Sequence, residues 1–136
     1  MCETETLAAT IEVVRTSNGK TVTVSVTNSS PISLTLATAV LTAGYWLKPP
    51  PVDGSPLGPG GVLTAVNAAD NAFGEVAGTL SFYPADGGQL TMSWIWPNGQ
   101  GLSAVASANS NSLTMTYSTY NNLSNDATTL FIVTPL

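Results

Sequence analysis

The sequence has no histidine, a single cysteine, three basic residues and only 8% charged residues. Without histidine there is no Ser-His-Asp or Cys-His catalysis, and the commonest zinc ligand is missing. One cysteine, Cys2, permits neither an internal disulfide nor a cysteine-based metal cluster. With Arg15, Lys20 and Lys48 set against eight acids, the net charge is −5 and there is no basic footprint for nucleic-acid phosphates. Anionic lipid headgroups are disfavoured for the same reason. No segment approaches the ~20 continuous apolar residues of a membrane-spanning helix. Nor does an apolar run of signal-peptide length follow the acidic start Met1-Cys2-Glu3-Thr4-Glu5. The expected product is therefore soluble, made in the cytoplasm without a signal peptide, with any action at a target membrane following its release.

What is present is alternation. The chain is 136 residues long and 43% apolar, enough for one domain with a real core. Thr, Ser and Asn supply the polarity, and they suit strands and turns better than helices. In Lys20 to Asn28, three valines share one face and Thr or Ser the other, the pattern of a half-buried strand. Asn18-Gly19 precedes it as a type I′ turn signal, which predicts a hairpin with Ala9 to Arg15.

Further strands are predicted over Ile32 to Thr42, Gly44 to Lys48, Val62 to Asn67, Gly74 to Tyr83 and Leu90 to Trp96. Leu102 to Ala108, Ser112 to Tyr120 and Thr128 to Thr134 complete the set. Pro49 to Gly61 holds five prolines and four glycines and reads as a long surface loop. The expected architecture is all-β: a single-domain antiparallel β-sandwich of roughly nine strands over 8–136, after a flexible tail of residues 1–7.

Chemistry-bearing motifs are sparse. Asp53, Asp70, Glu75, Asp86 and Asp126 each fall in or near a turn, where an aspartate usually bonds its own backbone. Enzymatic use of any pair, as in a glycosidase, is the least favoured reading. No calcium-loop pattern occurs, and Asn121, Asn122, Asn125 and Asp126 are the nearest approach to one. Gly58-Pro59-Gly60-Gly61 is followed by no Lys-Ser/Thr and is loop, not phosphate cradle. No cofactor or metal is expected.

The aromatics say more. Tyr45 and Trp46 border the proline loop, Trp94 and Trp96 share a strand face, and Tyr117 and Tyr120 come late. Trp94 and Met92 are expected in the core. Trp96, beside the Pro97 turn, is expected to be more exposed. Indoles and phenols at loop ends can settle among lipid headgroups, stack on sugars or anchor a protein interface.

Gly44-Tyr45-Trp46 with its proline loop, Asp70-Asn71-Ala72-Phe73-Gly74-Glu75, Gly78-Thr79-Leu80 and Trp94-Ile95-Trp96-Pro97-Asn98-Gly99 follow an order that resembles the aegerolysins. The string also resembles the small components of binary insecticidal toxins, which share that fold. The resemblance implies a small acidic β-sandwich that recognises membrane sphingolipid, with or without sterol, and recruits a larger pore-forming protein. It implies lipid contact through Tyr45, Trp46, Glu75, Trp94 and Trp96. Glu75 is slightly offset from the acid of the family pattern, and the proline loop replaces a more charged one. Pore formation by the chain alone, as in the related actinoporins, needs an N-terminal amphipathic helix, whereas Ile11-Glu12-Val13-Val14 is β-branched. Two further readings stand beside lipid recognition: a glycan-binding module using the same aromatics, and a self-associating homo-oligomer.

Overall fold

The computed structural model describes residues 19–71, 73–123 and 125–136. Ten strands and no helix are found among them. The strands are β1 (Thr21–Asn28), β2 (Leu34–Ala43), β3 (Tyr45–Trp46), β4 (Pro56–Leu57) and β5 (Val62–Ala68). They continue as β6 (Val76–Pro84), β7 (Gln89–Trp96), β8 (Ser103–Asn109), β9 (Leu113–Leu123) and β10 (Asp126–Pro135). Two five-stranded sheets result, ordered β3-β5-β1-β10-β9 and β4-β2-β6-β7-β8. This is the all-β sandwich that the alternation predicts.

Three details differ from the expectation. First, β1 runs parallel to β10, from Thr21 beside Asp126 to Asn28 beside Val133, so the sandwich is not wholly antiparallel. Second, the proline loop supplies a strand of its own. Pro56 and Leu57 pair with Thr35 and Leu34 at the sheet edge, where a proline needs no ladder donor. Third, the other edge of β1 is held by β5, so β1 offers no free edge to a hairpin partner. The expected first arm of that hairpin, Ala9 to Arg15, lies outside the described residues, as do the 1–7 tail and Cys2.

The core forms because inward side chains of both sheets alternate with hydroxyls facing out. Val22, Val24, Val26, Phe131 and Val133 from one sheet meet Leu34, Leu36, Leu80, Phe82, Leu90, Met92 and Trp94 from the other. The outward positions of β1 are Thr23, Ser25 and Thr27, those of β7 Thr91, Ser93 and Ile95. Among the described residues, charge is consequently confined to the loops and strand starts. Lys20, Asp70, Glu75 and Asp126 gather at one end of the sandwich, and Asp86 sits at the other. The registers fix these ends. Tyr45 lies beside Ala68, Thr21 beside Asp126 and Val76 beside Trp96 at the first, whereas Pro84 lies beside Leu34 at the second.

Candidate functional site at the aromatic end

Gly44 begins the site. It turns the chain from β2 into β3 with φ of 85°, and a Cβ there would stand 2.5 Å from the Ala68 carbonyl and 2.7 Å from Asn67 Nδ2. Only glycine accepts both the left-handed backbone and that close approach. The tight turn sets Tyr45 and Trp46 at the sheet edge against the end of β5.

Beneath them lies an ordered polar clasp. Asn67 is fully buried; its amide donates to the carbonyls of Ala43 at 3.2 Å and Tyr45 at 3.4 Å. Its Oδ1 accepts from Trp94 Nε1 at 2.9 Å, so the one polar atom of that indole is satisfied inside the core. Trp46, half-buried, packs on Trp94 with ring centroids 6.0 Å apart and planes tilted by 58°. Trp94 is only 2% exposed, in keeping with its expected core position.

Trp96 is a correction. Its strand-end position suggested exposure, yet it is 6% exposed. Val76 pairs with it on β6, and Lys20 closes over it with Nζ 4.9 Å from the ring centroid. The Lys20 ammonium also donates to the carbonyls of Trp96 at 3.5 Å and Pro97 at 3.4 Å. Burial pushes the lysine pKa below its ordinary value, an effect opposed by the charge of Glu75. The cation thus covers a ring whose strand-end position, and not its face, suggested exposure.

What the end displays is different: Phe73 at 77% exposure and Tyr45 at 42%. Phe73 crowns the β5–β6 loop. Asn71 shapes that loop, its Oδ1 accepting from Phe73 N at 2.9 Å and its carbonyl from Gly74 N at 3.0 Å. The Tyr45 hydroxyl is close enough to Asp70 on the same loop to feel its charge, and burial together with that carboxylate raises its pKa. Tyr45 on β3 thus neighbours the loop that carries Phe73.

Of the five residues proposed from sequence, Tyr45 and Glu75 are exposed, Trp46 is half-buried, and Trp94 and Trp96 are buried. The structure brings them to one end of the fold but gives the two β7 indoles a buttressing position. Phe73 was missed. Its signal was an aromatic ring within a run of turn formers, Asp70 to Gly74, where no core face exists to hold it. Among the described residues the charges around the rim are Lys20, already engaged, and the acids Asp70, Glu75 and Asp126, the last accepting from Thr21 Oγ1 at 2.6 Å. No group of three or more potential metal ligands occurs among the described residues.

Solved structures share this arrangement of strands. The crystal structure of the lipid-binding protein Nakanori matches with a TM-score of 0.71 at 13% identity, over 96% of this chain and 79% of that one. The fold is that of a known lipid-binding protein. RahU, solved in complex with a TRIS molecule, matches with a TM-score of 0.67 at 16% identity, over 86% of this chain and 96% of the other. No family model and no curated protein matches the sequence.

Proposed function

We propose that the chain is a non-catalytic recognition protein for uncharged or zwitterionic membrane lipid, docking through its aromatic end. The observation that carries this reading is the pair of exposed rings, Phe73 and Tyr45, at the same end of the fold as the packed indoles Trp46 and Trp94. An exposed phenylalanine on a buttressed loop gains about 1.5–3 kcal/mol when its ring leaves water for the acyl boundary. The phenol edge of Tyr45 stays at headgroup level. The surplus of acids at the rim disfavours anionic leaflets and leaves sphingolipid, with or without sterol, as the preferred surface.

The likeness of fold to Nakanori supports this reading. The motif order supports placing the chain with the aegerolysins. Partnership with a larger pore-forming protein, and with it a toxin or defence role, rests on that resemblance alone.

Vesicle sedimentation tests the reading. The wild-type chain is expected to pellet with sphingomyelin–sterol vesicles and to stay in solution with phosphatidylserine-rich ones. Phe73→Ala is expected to weaken pelleting about tenfold or more with an unchanged melting temperature, and Tyr45→Ala to weaken it less. Absence of binding to every neutral vesicle, or binding indifferent to both substitutions, overturns it.

A further inference from the structure

The opposite end of the sandwich carries a concavity, independent of the aromatic rim. The β6–β7 turn and the β8–β9 turn enclose a cleft of about 180 Å³, lined by Asp86, Gly87, Gly88, Asn109, Ser110 and Asn111, with Ser112 at its edge. The cleft contains no aromatic, no cation and no aliphatic side chain.

Its walls are fixed. Ser110 Oγ accepts from the backbone N–H of Ser112 at 3.1 Å and of Leu113 at 3.0 Å, which locks the β8–β9 turn. Ser112 Oγ donates to Asp86 Oδ2 at 2.6 Å, joining the two turns and holding the carboxylate in one orientation. Gly88, with φ of 91°, brings its backbone so close to the Asn109 carbonyl that a Cβ could not be accommodated. Gly87, with φ of 101°, leaves open space where a side chain would stand.

The donor set selects the ligand class. Asp86 offers a held acceptor, Asn109 and Asn111 each offer an amide donor and an acceptor, and Ser110 a hydroxyl. A phosphate or carboxylate would meet Asp86 with no compensating cation. Calcium requires six to eight oxygens, commonly several of them carboxylates, and only one is here. A vicinal diol both donates and accepts and carries no charge. The volume lies below the ~300–1,000 Å³ of drug-sized ligand pockets and suits a single ring. We infer that this cleft binds a neutral polyhydroxylated group, the terminal sugar of a glycan. The strands hold it some eight residues, or about 26 Å, from the aromatic rim, so a chain seated on a membrane would present it outward.

Amide chemical shifts of the full chain, titrated with the methyl glycosides of glucose, galactose, mannose and N-acetylglucosamine, test the assignment. At least one glycoside is expected to shift the amides of Gly87, Gly88 and Asn109 to Ser112. Asp86→Ala is expected to weaken that glycoside about tenfold, with vesicle binding untouched because Asp86 is exposed and remote from the rim. Phe73→Ala should leave the glycoside affinity unchanged, which separates this site from the lipid site. The inference fails if no glycoside moves these amides at millimolar concentration. It fails equally if calcium chloride moves them and glycosides do not, or if Asp86→Ala binds as the wild type does.

Discussion

The two ends of the sandwich are turns of the same strands, yet they brace those turns with different chemistry. At one, three indoles fill the space beneath the loops, and Asn67 satisfies the single Trp94 N–H that would otherwise be stranded. At the other, Leu34, Leu57, Leu90 and Leu113 close the core, and amides and hydroxyls hold the turns above it. Asn28 donates to the carbonyls of Ile32 at 2.8 Å and Leu57 at 3.0 Å, and Ser110 caps the β8–β9 turn. Rings large enough to brace a loop let it hold another ring out in water. Short polar side chains brace a loop through hydrogen bonds and leave a hydrophilic hollow. The difference lies in which side chains brace the turns, since the strands beneath both ends are continuous.

The strongest way to break this comparison is to remove its keystone. Trp94→Ala deletes a fully buried indole and leaves Asn67 Oδ1 without its donor. The expected loss is about 3–5 kcal/mol of stability, read from urea unfolding. Amide exchange should quicken first at Tyr45, Trp46 and Asn67, while the Asp86 cleft keeps its protection. Equal quickening at both ends would mean that they open as one unit. Trp94→Phe, which keeps most of the ring volume, should cost less.

A smaller effect sharpens the comparison from the other side. Gly88→Ala must place a Cβ against the Asn109 carbonyl on a left-handed backbone, a strain of about 1–3 kcal/mol. Calorimetry should show the drop in melting temperature. Glycoside shifts at the cleft should vanish while vesicle pelleting persists. Loss of pelleting as well would show that the cleft end supports the rim.

How much of this was legible in the sequence differs between the ends as well. Alternation in Thr21–Asn28 and Gln89–Trp96 placed Val22, Val24, Val26 and Trp94 correctly, because a period of two is a local property. Pairing is not local. The parallel partnership of β1 with β10 joins residues over a hundred positions apart, and the Asn18-Gly19 turn signal pointed to a nearer partner instead. Trp96 looked exposed for the same reason. Its cover, Lys20, lies 76 positions away and is a residue type normally left in water. Phe73 stands in plain view within Asp70 to Glu75, but its meaning lies in having no strand face to occupy. The Asp86 cleft could not be read at all, since turn aspartates and serines are ordinary and only the fold sets those two turns side by side.

The finest test separates the ring of Tyr45 from its hydroxyl. Burial and the neighbouring Asp70 carboxylate raise the phenol pKa above its ordinary 10.0. The folded chain therefore keeps that proton when the unfolded chain has begun to lose it. The resulting stability is complete below pH 10 and disappears as pH climbs through the raised value. Lys20 acts in the opposite sense. Its pKa is lowered from 10.5, so stability grows as pH rises from the lowered value toward 10.5. In alkaline urea titrations Tyr45→Phe should remove the loss, and Lys20→Met should remove the gain. Because Phe keeps the ring, Tyr45→Phe should still pellet with neutral vesicles as the wild type does. A defect as large as that of Tyr45→Ala would assign the contact to the hydroxyl and Asp70, making the rim a hydrogen-bonding surface and ending its contrast with the far end.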